Sequence, residues 1–559
     1  DSNKAFDAEK GLAPTVSESP EYEIQAGQQN ELKRSLKNRH MQMIAIGGAI
    51  GAGFFVGAGG ALSTGGPASL IIGFSITGLM LLMTMQALGE LTVLYPVNGA
   101  FFSKHLELYD LTPGPNNLFR YACRFIHESW GFAIGWQYAI QWLTILPFEL
   151  TAASITIDFW KGAANINVGV WIAVFLVALS AIQFFGVRAY GEVEFVLSII
   201  KIIACVGFII LGIVIDTGAV PTDTRGYIGA KYWSEPGAFR NGFKGFCSVF
   251  VTASFAFGGT ELVGLAAAES ANPRKALPQA VKQVFWRIAF FYIVGLFILG
   301  LVVPSDNPNL LHAHGANSQY SPFVIAIRLA GIKTLPSIFN AVITVSVISV
   351  ANSSAFASTR TLQALAVRGM APKFLAYVDK KGRPIPTIIL QMSFGLLAFV
   401  NLAAAGSVLF TWLLSLTGLA NFFVWGSINL SHIRFRKGWA HSGRTLEQLP
   451  YKAKFGVIGS YIGLFLNIIC LIAQFYVALF PIGGKPDVTN FFESYLAGPV
   501  IFTLFVGWKV WTRDWKMWIS ASDMDVTTDA REFDPAEDEE AKPSTGFMGK
   551  LKSGASAFF

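Results

Sequence analysis

The chain has 559 residues, 53% of them hydrophobic and only 14% charged, whereas soluble domains carry roughly a quarter charged residues. That composition excludes an ordinary soluble globular protein and points to one that crosses a membrane many times. The net charge of +7 is spread over loops rather than gathered in a patch, so a nucleic-acid partner is not expected, and the four cysteines are too far apart for a metal motif or a secreted disulfide framework.

Residues 1–35 are polar and read as a disordered tail; no apolar leader precedes the first apolar run. Runs long enough to cross a bilayer, about 20 residues each, then recur twelve times. They lie near 41–62, 68–95, 130–158, 167–187, 191–215, 244–269, 283–303, 335–365, 386–405, 408–432, 456–480 and 491–511. After the last, the chain turns acidic in "REFDPAEDEEAKP", and 516–559 reads as a second tail. With the N-terminus in the cytosol, Lys and Arg favour the inner loops by roughly three to one, which places both termini on that side.

The first run contains "IGGAIGAGFFVGAGG", residues 46–60, with seven glycines. The sixth contains "FAFGGTELVGLAAAES", residues 255–270, with Gly258, Gly259 and Gly264. Small residues four apart also serve close helix packing. Interruptions five spans apart, however, predict two inverted repeats, about 41–215 and 244–432, whose discontinuous helices surround a central site. Runs eleven and twelve, about 456–511, are then accessory. Unwound backbone survives in hydrocarbon only where protein, water or a ligand satisfies it. Amides at the start of the half-helix after Gly51 suit a carboxylate, and carbonyls freed in the sixth span suit an ammonium. Gly57 to Gly60 are assigned to packing.

Ionisable residues in mid-membrane cost several kcal/mol on insertion scales and are functional candidates by default. Glu149 in "LPFELTAAS" follows Pro147, where a kink would turn the carboxylate inward; it shapes a substrate pocket or binds a transported proton, or else is a packing residue. Lys201 in "FVLSIIKIIACVGF" either exchanges protons in the core or snorkels to the interface. Glu261 follows the second break and could cap its half-helix. Between "NGAFFS" and "RFIHESWGFA", the segment "KHLELYDLTPGPNNLFRYAC" has loop chemistry. No phosphate loop, nucleophile elbow or metal-spaced histidines occur, so neither an enzyme nor a cofactor is expected.

The segments "LKNRHMQMIAIGGAIGAGFFVGAG", "LPFELTAASITIDFW", "SVFVTASFAFGGTELVGLAAAES" and "NPRKALPQA" resemble the fungal amino acid permeases of the amino acid, polyamine and organocation superfamily, in particular the general ones. The resemblance covers about residues 36–520. It implies an all-α integral membrane protein of twelve helices with a 5+5 inverted repeat (APC/LeuT-like) in a transporter domain at 36–515. The implied activity is import of amino acids with protons across the plasma membrane by alternating access. An amino acid exchanger and a non-transporting amino acid receptor are the alternatives. Substrate, protons and membrane lipid are the implied partners, with ubiquitin ligase or trafficking machinery at the tails.

The resemblance places the substrate carboxylate on amides of Gly51, Ala52 and Gly53, and its ammonium on carbonyls of Ile50, Phe255, Ala256 and Gly258. Phe255 or Phe257 would be a lid. Thr260 joins this set, as do Asn352 and Thr417 from the eighth and tenth spans, which could equally bridge helices. Lys201 would stand where related proteins hold a sodium ion, and Glu261 matches a glutamate linked to proton sensing. Ala52 and Ala256 depart from the hydroxyl residues usual at their positions, which removes hydroxyl contacts but not backbone ones.

Overall fold

A computed structural model describes residues 36, 38–95, 118–163, 165–266, 269, 273–311, 321–402, 406–528 and 530. Among these residues there is no β-strand. The helices in chain order are α1 Asn38–Gly47, a π turn Gly53–Gly57 leading into α2 Ala58–Leu94, α3 Leu118–Phe125, α4 Glu128–Ile157, α5 Val168–Phe185 and α6 Val187–Asp216. The second half begins with α7 Gly242–Phe257, α8 Leu262–Ala266, α9 Pro273–Arg287, a π segment Ile288–Val294 and α10 Gly295–Val302. Short α11 Pro308–Leu311 and α12 Pro322–Leu329 precede α13 Leu335–Val367 and α14 Ile385–Gly395. The chain then forms α15 Gly406–His441, α16 Gly456–Leu479, α17 Val488–Tyr495 and α18 Ala497–Thr512.

These elements make the twelve expected passages. α2 holds two of them: Gly66, at φ 83 and ψ 169, breaks its helical backbone ahead of Pro67, so the chain reverses there although hydrogen bonding runs on. The first passage is split between α1 and the turn into α2, and the sixth between α7 and α8. α4 runs through Pro147 as one helix. Thr151 Oγ1 donates to the Pro147 carbonyl at 2.8 Å. The segment read as an insertion falls mostly outside the described residues, and its end forms α3.

The face on which α1 starts is called the first face, and the opposite one the second. α6 shows how the spans divide their residues. Tyr190, Glu194, Ser198, Lys201, Cys205, Phe208 and Gly212 recur every three or four positions and are buried, whereas Val196, Ile203 and Ile210 point outward. A spanning helix thus inverts the soluble pattern: lipid takes the branched apolar side chains, and the interior takes polar groups that must find partners. All four cysteines are buried and unbridged.

Two groups of helices result. α1, α2, α7 and α9 with α10 pack on one another, while α4 and α13 pack along their lengths with α5 and α14 beside them. α6 touches both groups. Residues 513–528 fold back over the first face. There Arg434 bonds the Ile519 carbonyl, Ile519 N donates to the Ile126 carbonyl at 2.9 Å, and Tyr95 donates to the Val526 carbonyl at 3.0 Å.

Candidate functional site

α1 ends at Gly47, and helical backbone resumes at Ala52. The Gly51 carbonyl accepts from Phe54 and Phe55 at 3.2 and 3.0 Å and so closes the first turn. A helix start leaves its leading N–H groups without intrahelical partners, which makes the amides of Gly51, Ala52 and Gly53 the donors at this break. Glycine is required here. A Cβ on Gly53 would sit 2.6 Å from Phe255 Cδ1 and 3.0 Å from the Ala256 backbone, and one on Gly51 would strike Val350. Gly60 differs: nothing lies within 4 Å of its Cβ position, so packing does not account for it.

The second break lies across the first. Gly259 has φ +91, and a Cβ there would lie 2.5 Å from the Gly48 carbonyl. Its carbonyls are largely engaged. Gly258 N bonds those of Ser254 at 2.9 Å and Phe255 at 3.2 Å, while Ala256 accepts the Tyr292 hydroxyl at 2.8 Å. Thr260 Oγ1 donates to the Phe257 carbonyl at 2.8 Å and accepts from Arg287. Glu261 accepts from Gly259 N at 3.3 Å, Trp425 at 3.2 Å and Tyr138 at 3.4 Å, so it ties the head of α8 to α4 and α15.

Between the breaks lies a cavity of about 20 Å³, room for roughly one water molecule and too small for any amino acid. Gly51, Ala52, Gly53, Glu149, Phe255 and Gly258, all anticipated from the sequence, line it. Glu149 Oε1 is 3.9 Å from the Cβ position of Gly51, and its Oε2 has no hydrogen-bond partner among the described residues. Phe255 packs edge-on against Phe148 with ring centroids 5.3 Å apart. Phe257 faces the other way, onto Phe74 and Tyr292. A larger hollow of about 380 Å³ on the second face, beside Arg328 and Lys333, lies away from both breaks.

The remaining anticipated residues surround the cavity without lining it. Ile50 is fully buried in the first break. Thr417 is buried on α15, one turn before Asn421. Asn352 bridges helices: its Oδ1 accepts from Gln183 of α5 at 3.1 Å, and its Nδ2 donates to Glu194 of α6 at 3.4 Å. Lys201 does not snorkel. It is fully buried, and its Nζ donates to the Gly47 carbonyl at 2.5 Å and to Ser349 Oγ at 2.8 Å.

Three residues escaped the sequence reading. Gln141 and Asn421 line the cavity, with Gln141 Nε2 donating to Asn421 Oδ1 at 2.6 Å and Gln141 Oε1 left without a partner among the described residues. Gln141 stands eight residues before Glu149, two turns away on one helix face, and that spacing was the available signal. Glu194 stands seven residues before Lys201, again two turns, and accepts a 2.5 Å bond from Ser349.

A sequence model of the amino acid permease family matches residues 40–521. The chain is 49% identical to the cationic amino acid transporter 1 of Schizosaccharomyces pombe, over 94% of this chain and 86% of that one. It is 49% identical to a general amino-acid permease of Saccharomyces cerevisiae, over 93% and 84%. Among solved structures, MhsT in complex with L-phenylalanine matches with a TM-score of 0.52 at 14% identity, over 79% of this chain and 99% of that one, a likeness of fold alone.

Proposed function

The chain belongs to the amino acid permease family, and from that premise we propose that it imports amino acids with protons across the plasma membrane. The observation that carries this reading is the small cavity where the two breaks meet, lined by Gly51 to Gly53 on one wall and on another by Glu149, whose Oε2 has no partner among the described residues. The amides receive the substrate carboxylate, since a helix start carries partial positive charge and free donors. The ammonium lies toward the carbonyls of Ile50, Phe255, Ala256 and Gly258, each of which has a second lone pair. Phe255 serves as the lid, and Glu149, Gln141 and Asn421 face the side chain.

A cavity this small admits substrate only when the walls part, so the group containing α1 and α7 rocks against the group containing α4 and α13. The first face is cytoplasmic, and both tails, 1–35 and 516–559, reach trafficking machinery from there. Lys201 joins the end of α1 to Ser349 of α13, across the surface that must separate. Its charge therefore biases the closed form, and losing its proton weakens that bond. Coupling follows from such differential affinity for the two states. The mixture of general and cationic transporters among the relatives, together with the acid Glu149, favours a range that includes cationic amino acids.

Uptake of a panel of labelled amino acids into proteoliposomes, with and without an inward proton gradient, tests this reading. Gradient-driven accumulation supports it. Binding without accumulation would contradict transport, and uptake indifferent to the gradient would contradict symport.

A further inference from the structure

Lys201 and Glu194 are both buried on α6, and one hydroxyl joins them. Ser349 Oγ accepts from Lys201 Nζ at 2.8 Å and donates to Glu194 Oε1 at 2.5 Å. We propose that Glu194 is the acceptor for the proton that Lys201 releases, reached through Ser349 and opened to the first face only when α1 moves away. This rests on the reading that Lys201 carries the coupled proton.

The transfer balances within these three groups. An N–H bond of the Lys201 ammonium breaks as its proton passes to Ser349 Oγ, while the Ser349 hydroxyl proton forms an O–H bond on Glu194. An ammonium and a carboxylate become an amine and a carboxylic acid, with no electron moved and no net charge changed. Two opposite charges are erased together inside the membrane, which avoids stranding either one unpaired, the costly outcome for a buried ion pair.

Direction comes from position. Glu194 lies seven residues closer than Lys201 to the first-face end of α6, about 10 Å along the axis. A proton handed from Lys201 to Glu194 has therefore already moved toward that face.

The gate comes from α1. A Cβ on Gly47 would collide with Glu194 Oε1 and Ser198 Oγ, so the last turn of α1 lies directly on the carboxyl group. Ser198 also bonds the Met43 carbonyl at 3.1 Å, and Lys201 holds the Gly47 carbonyl. The same half-helix thus covers the acceptor and is tied to the donor. Its departure breaks the Lys201–Gly47 bond and uncovers Glu194 in one movement.

The other groups facing this carboxyl fit such a role. From α13 come the neutral Asn352 and Ser353, with Arg360 beyond them paired to Glu269 at 2.9 Å. From α6 itself comes Tyr190, whose hydroxyl lies 3.3 Å from Ser353 Oγ. α1 places His40 beside Gly191, one turn nearer the first face, and α5 contributes the neutral Gln183 through Asn352. Glu149 acts on Lys201 from the cavity side. Lys201 is therefore the cation that shares a hydroxyl directly with Glu194.

The test uses the full chain in proteoliposomes, with radiolabelled amino acid and an internal pH dye. Glu194→Gln keeps size and hydrogen bonding but cannot take a proton. Couplings between sites correspond to roughly 5–150-fold, so gradient-driven accumulation is expected to fall about tenfold and its pH profile to flatten, with substrate affinity within about threefold. Wild-type accumulation and pH profile in this variant would overturn the relay. So would a parallel loss of affinity and accumulation with the pH profile intact, which marks a static counter-ion. Should Glu194→Gln fail to fold, Ser349→Ala keeps both charges and removes the bridge. It is expected to slow dye-reported proton entry about tenfold on the same coupling scale, with Ser349→Thr restoring it; an unaffected Ser349→Ala would overturn the relay equally. Wild-type uptake indifferent to the gradient would instead overturn the coupling beneath it.

Discussion

The two broken helices use one device for different ends. At the first break Gly51 to Gly53 line the cavity at the start of a half-helix, and the end of α1 is held from outside by Lys201. At the second, most of the freed groups find partners within the protein, from Tyr292, Thr260, Gly258 and Glu261. Unsatisfied backbone in a membrane costs several kcal/mol per group, so under the proposed function the first break is where a ligand's carboxylate completes the structure. At the second, bonds within the protein already offset much of that cost.

Gly53→Ala should break this contrast most severely. The added Cβ meets the Ala256 backbone at 3.0 Å, and backbone cannot rotate aside as a side chain can. Overpacking costs typically about 1–3 kcal/mol, here set against the closed form, so uptake should fall roughly 5- to 150-fold with surface protein retained. A fall of less than about twofold in uptake assays, well under that 1 kcal/mol, would mean that the breaks do not press together during transport.

Tyr292→Phe probes the second break. It removes the donor to the Ala256 carbonyl, and a net hydrogen bond is worth about 0.5–1.5 kcal/mol. Thermal stability in detergent should drop while substrate affinity stays within about threefold, inside that range. Unchanged stability would mean that the Tyr292 bond does not hold the second break, and the two breaks would then be alike.

Gly60→Ala should do least. Its Cβ enters open space, and alanine is favoured over glycine inside a helix by about 0.5–1 kcal/mol. The melting temperature should be unchanged or slightly raised and uptake unaffected. Lost uptake would show that the segment beyond the first break also moves.

Much of the architecture was legible because membrane insertion makes its signals local. Twelve apolar runs, the glycine interruptions at 48–53 and 258–259, and Glu149 and Lys201 standing in apolar surroundings could all be read without knowing what any residue touched. Phe255 and Phe257 were not separable: two positions apart near a helix end, they differ by about 200° around the axis at 3.6 residues per turn, and only the packed structure shows which faces Phe148 and the cavity.

The sequence by itself determined where the chain crosses the membrane and where two of its helices stop, since hydropathy and glycine content act over a few residues. Tertiary structure decided which partners hold the groups freed at the second break, that Gln141 meets Asn421, and that Glu194 shares a hydroxyl with Lys201 beneath Gly47. These pairings join residues about 150 to 280 positions apart, as with Lys201 to Gly47 and Gln141 to Asn421. In a medium that offers buried polar groups no solvent, each must take whichever partner the packing brings, and packing is a property of the whole chain.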